Sequence, residues 1–111
     1  MTARLTTALL VSALLRRAMA EGGSGAVLHR GDETAGAILL ETRARGRFTG
    51  VLERVLGAEG YRWERVGPSD SDERVADGWV AKRRLNDPDL WVVELDVADA
   101  QRLAAESTAS N

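Results

Sequence analysis

Asp87-Pro88-Asp89-Leu90-Trp91-Val92-Val93-Glu94-Leu95 is the stretch on which the fold turns. Pro88 disfavours helical geometry at Asp87, so a helix arriving from the N-terminal side must stop there. From Leu90 to Leu95 the residues are aromatic, β-branched or leucine, interrupted only by Glu94, which is the composition of a strand. Apolar side chains fall on both sides of the pleat, which places this strand in the interior of the sheet.

Upstream, Asp72 to Leu85 carries Val75, Ala76, Trp79 and Val80 at helical spacing, with Lys82-Arg83-Arg84 in the last turn, where cations complement the helix dipole. Ser69-x-x-Asp72 and Asp70-x-x-Glu73 supply capping side chains at its start. Gly67-Pro68 separates this helix from a run of strand-like segments. Ala26 to His29 and Gly36 to Leu40, joined by the polar turn Arg30-Gly31-Asp32-Glu33-Thr34, read as a β-hairpin. Arg43 to Arg47 forms a second turn into Phe48 to Val55, where Gly50 marks a bulge. Tyr61 to Val66 alternates and completes a four-stranded antiparallel meander over Gly25 to Val66.

The segment Thr2 to Ala20 has no glycine or proline and is rich in alanine and leucine, favouring helix. Ala8, Leu10, Val11, Leu14, Leu15 and Ala18 share one broad face, while Leu5 and Leu9 lie off it. So wide a stripe predicts cover on more than one side, from a second copy or from a groove in the same chain. The order α-β-β-β-β-α-β, with helices at the ends of a strand run, argues an α+β class. A single domain over 1–106 is expected, with a short helix over Ala98 to Glu106 and a flexible tail over 107–111.

The C-terminal block Asp87 to Glu94 resembles the most recognisable run of a family of short bacterial proteins known as domain of unknown function 1491. Val11-Ser12-Ala13-Leu14-Leu15-Arg16-Arg17 is similar to that family's N-terminal helix, and Arg30-Gly31-Asp32 with Ala35-Gly36-Ala37 to its first hairpin. The resemblance implies no activity, cofactor or catalytic residue. It does imply that the first helix belongs to the domain. Arg16 and Arg17, placed between the apolar stretch and Ala18-Met19-Ala20, also argue against an export signal. A cytoplasmic protein with no membrane segment is expected.

At 111 residues, 44% hydrophobic and 29% charged, the chain has the balance of a globular domain rather than a disordered one. The absence of cysteine excludes disulfides, thiolate metal sites and thiol catalysis, and one histidine excludes a histidine-rich metal centre. No cofactor and no metal site is expected, although carboxylate sites for Mg²⁺ or Ca²⁺ stay open in principle. A net charge of −2 lacks the basic excess of a general nucleic-acid binder.

Candidate catalytic residues are His29, Asp32, Asp87 and Asp89. Asp32 beside His29 could orient an imidazole base, and Asp87 with Asp89 could act as an acid/base pair. Each also has a plain structural reading: His29 as a hydrogen-bonded surface residue, Asp87 as a turn cap, Asp89 as a partner for Arg83 or Arg84. Gly22-Gly23-Ser24-Gly25 follows a helix and lacks the lysine of a phosphate loop. Candidate nucleic-acid contacts are Arg43, Arg45, Arg47, Lys82, Arg83 and Arg84, joined by Arg16-Arg17, with Tyr61, Trp63 and Trp79 as stacking platforms if exposed. With no convergent catalytic set, the favoured expectation is a non-catalytic protein-interaction module, binding a protein partner or itself. Nucleic-acid binding is the alternative, and an enzyme with a His/Asp site the second alternative.

Overall fold

The structure is a computed structural model that describes residues 5–68 and 72–108. The elements follow the expected order, the short C-terminal helix included: α1 (Thr7–Ala20), β1 (Ser24–His29), β2 (Ile38–Ala44), β3 (Arg47–Gly57), β4 (Gly60–Val66), α2 (Glu73–Asn86), β5 (Trp91–Asp96) and α3 (Ala100–Thr108). The class is α+β. Thr6 caps α1, its hydroxyl accepting from the Leu9 amide. Asp72 caps α2, accepting from Arg74 and Val75, while the flanking candidates Ser69 and Asp70 lie outside the described residues. Helix α2 ends at Asn86, ahead of Pro88. Helix α3 includes Ser107 and Thr108, and the rest of the expected tail, 109–111, lies outside the described residues.

The sheet runs β1-β5-β2-β3-β4 and is mixed. Strand β5 lies parallel to β2 and antiparallel to β1, so the antiparallel meander comprises β2, β3 and β4 only. The expected β1–β2 hairpin does not form. The physical reason is that β5, apolar on both faces, gains most from an interior slot, whereas β1 opens with the small residues Ser24-Gly25-Ala26 and has less apolar surface to bury, so it can tolerate an edge. Strand β5 thereby separates the two segments, and 30–37 becomes a connection across its start. The expected irregularity near Gly50 is present as a shift in the β2–β3 register between Thr42 and Arg43.

Helices α1 and α3 cover one face of the sheet. Leu10, Val11, Leu14 and Ala18 of α1 meet Leu40, Trp91, Val93 and Leu95 of the strands and Leu103 and Ala104 of α3. The wide stripe of α1 is covered from two sides within one chain, by sheet and α3, while Leu5 and Leu9 remain exposed. Trp63 is buried here and donates its indole N–H to the Thr108 hydroxyl at 2.9 Å, fixing α3 on β4. An ion-pair network of Arg17, Glu21, Arg102 and Glu106 closes the rim between α1 and α3. Helix α2 covers the other face through Ala76 and Val80, packed on Leu39, Val51, Leu90 and Val92.

A charged groove between helix α2 and the edge strand

Period-2 alternation along β2 sends Ile38 and Leu40 to the α1/α3 face and Leu39, Glu41 and Arg43 to the α2 face. The parallel register sets Glu41 beside Glu94 of β5. Two neighbouring carboxylates on an enclosed face require compensation, and Arg43 supplies part of it. Its guanidinium donates to Glu94 at 2.9 Å and pairs with Glu73 in the first turn of α2. Further along the helix, Arg83 makes a two-pronged contact with Glu53 of β3 at 2.9 and 2.8 Å. These two arginines clamp α2 to the sheet near its two ends.

Glu41 is left over. It is only 7% exposed, and among the described residues no side chain or backbone group donates a hydrogen bond to its carboxyl group. It forms the floor of a groove of about 190 Å³ together with Val92. Asp77, Val80, Ala81 and Arg84, spaced as one helical stripe, make one wall. Leu28 and His29 of β1 make the other wall. Burial pushes the Glu41 carboxyl above its ordinary value, and the nearby Asp77 carboxylate pushes it in the same direction. Arg43 opposes the shift, and Glu94 and Glu73 add to it.

That shift has a consequence for stability. The unfolded chain releases the Glu41 proton near 4.5, and the native protein holds it to higher pH. Glu41 therefore imposes no electrostatic penalty below that value, and stability falls as pH rises through the native value. Glu41→Gln removes the charge at nearly constant volume. At pH 7 the variant is expected to be more stable than the wild type by about 1 kcal/mol, or about 4–8 °C in Tm. Thermal melts at pH 4 and pH 7 check this: the gain must vanish at the lower pH.

Of the catalytic candidates, His29 lies in the groove, and Asp32, Asp87 and Asp89 do not line it. Asp32 builds a turn, its carboxylate accepting from the Thr34 and Ala35 amides. Asp87 follows α2, and its carboxylate accepts from the Asp89 amide at 3.1 Å. Asp89 serves through its backbone, its carbonyl accepting from the Asp32 amide at 3.0 Å. Arg83 is held by Glu53, and among the described residues no ion pair joins Asp89 to Arg83 or Arg84. No group of three His, Asp or Glu side chains among the described residues is disposed to hold a metal ion.

The basic candidates do not merge into one surface. Arg45 and Arg47 sit at the β2–β3 turn, next to the Arg43–Glu73 end of α2, whereas Lys82, Arg83 and Arg84 sit at its C-terminal end. Ten residues of helix, about 15 Å at 1.5 Å each, separate Glu73 from Arg83. Arg17 belongs to the α1–α3 rim. Trp63 is buried, Trp79 packs against the α2-side core with Arg83 over its ring, and the Arg54 guanidinium lies over the exposed Tyr61.

The segments that gave the sequence its resemblance converge at one end of the sheet. The Trp91 indole donates to the Asp32 carbonyl at 2.7 Å, and its backbone amide donates to Ala37 at 2.8 Å. Arg30 lies over the Trp91 ring, 5.0 Å from its centroid. Thr7 and Ala8, in the first turn of α1, donate to the Thr34 and Glu33 carbonyls. A family model described as a protein of unknown function, DUF1491, matches residues 5–105. The chain belongs to the DUF1491 family.

Solved structures agree with that assignment. The crystal structure of a DUF1491 family protein from Caulobacter crescentus CB15 is 30% identical, with a TM-score of 0.79 over 90% of this chain and 94% of that one. The solution structure of protein Atu0922 from A. tumefaciens is 33% identical, with a TM-score of 0.72 over 87% and 89% of the two chains. An NMR structure of a Caulobacter crescentus DUF1491 protein gives 30% identity and a TM-score of 0.76 over 92% and 94%. No curated protein matches the chain. The DUF1491 family has no assigned function, and these bacterial relatives lend this DUF1491 protein a fold rather than an activity. No helix among its described residues is long and apolar enough to cross a membrane.

Sequence reasoning did not reach Glu41 or Asp77. Its strand ended at Leu40, one residue short of the buried carboxylate. The available signal was the alternation that continues through Glu41-Thr42-Arg43, together with Glu94 inside the most apolar strand of the chain.

Proposed function

We propose that this DUF1491 protein is a protein-interaction module that associates with a second copy of itself through β1. The carrying observation is the state of that strand. It has β5 as its one neighbour in the sheet and terminates it. Its sequence, Ser24-Gly25-Ala26-Val27-Leu28-His29, has no Lys, Asp, Glu or Pro, the residues that commonly protect an edge. Val27 is 40% and Leu28 50% exposed. An uncharged strand meets a copy of itself without like-charge opposition.

The register of β1 shifts between Val27 and His29, so the regular ladder is short. The association is therefore of the weak class, burying less than about 1,200 Å². Sedimentation equilibrium across micromolar to millimolar protein is expected to show a reversible monomer–dimer equilibrium. Val27→Lys places a cation on the edge and is expected to leave only monomer at every concentration, with an unchanged thermal melt. A wild-type chain that stays monomeric at millimolar concentration removes the proposal. The nucleic-acid reading has less support, since Arg43 and Arg83 are engaged by carboxylates, Arg45 and Arg47 lie apart from Lys82 and Arg84 at opposite ends of α2, and Arg17 belongs to the α1–α3 rim.

A further inference from the structure

We propose that the groove between α2 and β1 is a binding site for a small organic cation, a primary ammonium on a short alkyl chain, whose charge is met by the Glu41 carboxylate. The inference is independent of strand pairing at β1. Glu41 is nine-tenths buried as a residue, and its carboxyl group, without a hydrogen-bond donor and facing an open groove, is an unfilled position in an otherwise paired face. The surrounding charge selects the sign of the ligand. Glu41, Asp77, Glu73 and Glu94 face Arg43 and Arg84, an excess of two carboxylates when all are ionised. Arg43 is already shared between Glu94 and Glu73. Among the described residues Arg84 forms no ion pair, and it lies toward the helix wall with Asp77.

The remaining walls select the rest of the ligand. Leu28, Val80, Ala81 and Val92 are apolar and suit methylene groups. The space, about 190 Å³, exceeds the roughly 150 Å³ that holds a benzene ring, so four carbons and a nitrogen fit. His29, on the β1 wall of the groove, carries ring nitrogens within the same space as the Glu41 carboxylate. The donor set is too dispersed for a metal ion. Burial holds the Glu41 carboxyl above its ordinary value, and a cation favours the ionised form, so binding strengthens as pH rises. The same chemistry can reach the groove as a free amine or as the lysine side chain of a peptide.

The test is an NMR titration of the ¹⁵N-labelled full chain at pH 7 with n-butylammonium chloride, at ionic strength held constant with NaCl, and with n-butanol as the neutral isostere. Saturable shifts at His29, Glu41, Asp77 and Arg84 are expected, with a dissociation constant in the range of about 1–10 mM that suits so small a ligand. Glu41→Gln is expected to weaken binding at least about tenfold, and Asp77→Asn about threefold, with both spectra showing the native fold. Asp32→Asn, remote from the groove, leaves the titration unchanged. Nα-acetyl-lysine methylamide separates the two sources: shifts equal to or larger than those of butylammonium assign the site to a lysine side chain, and absent shifts to a free amine. The proposal is overturned if no saturable shifts appear by about 100 mM, if butanol binds as well as the amine, or if Glu41→Gln binds with wild-type affinity.

Discussion

Trp91→Ala is expected to destabilise the protein by about 3–5 kcal/mol, a large part of the roughly 5–15 kcal/mol that holds a domain together. Trp91 is 1% exposed and opens the interior strand β5. Its ring contributes to the α1/α3-side core, and its indole N–H holds the Asp32 carbonyl. Alanine would leave a cavity and remove the donor that secures the 30–37 connection. Trp91→Phe separates the two contributions. It retains most of the ring volume and strands the Asp32 carbonyl, so about 1–3 kcal/mol is expected from the hydrogen bond alone. Urea denaturation of the three proteins measures both. Equal losses for the two variants would show that the hydrogen bond, and not ring packing, carries the site.

How far the sequence discloses this fold depends on whether the determining interaction is local. The start and stop of α2 are local events at Asp72 and Pro88, and both were legible. The interior placement of β5 was legible because its apolar residues occupy both sides of the pleat. Which strands flank it was not, because alternation within β1 or β2 carries no information about the neighbour. A turn-like segment such as Arg30 to Thr34 suits a hairpin equally well as a connection that crosses the start of another strand. Here its Asp32 amide is bonded to Asp89, far away in sequence.

The candidate site illustrates the same limit. His29 could be found as the lone histidine, but its pairing with Asp32 followed from sequence proximity. The sheet instead brings His29 and Leu28 across from Asp77 and Arg84, with Glu41 beneath them. Burial of Glu41 is a tertiary fact, produced by α2 passing over β2, and only that fact distinguishes it from the exposed carboxylates of the chain. Equally, Arg43 and Arg83 read as surface cations until their partners Glu94, Glu73 and Glu53 are placed opposite them.

Gly36→Ala and Gly31→Ala are expected to be as damaging as loss of the tryptophan, for the opposite reason. A Cβ on either glycine would lie 2.1 Å from the Asp89 carbonyl oxygen, and the next nearest atoms belong to Leu90, Trp91 and Asp32. The obstruction is backbone, so no rotamer change relieves it. The 30–37 connection must lift away from the start of β5, weakening the Asp32–Asp89 and Trp91–Asp32 hydrogen bonds together. Overpacking alone costs about 1–3 kcal/mol, and with those bonds a loss of about 3 kcal/mol or more is expected, a fall in Tm of more than about 10 °C. Because both substitutions strain the same contact, their effects in the double variant are expected to sum to less than the two singles. Gly46→Ala, whose added Cβ meets nothing within 4 Å but whose φ is +80°, separates backbone strain from collision. A loss near 1 kcal/mol there, against 3 or more at Gly36, identifies close approach to Asp89 as the cause. Near-equal losses would mean that the 30–37 connection yields readily and that the contact does not govern stability.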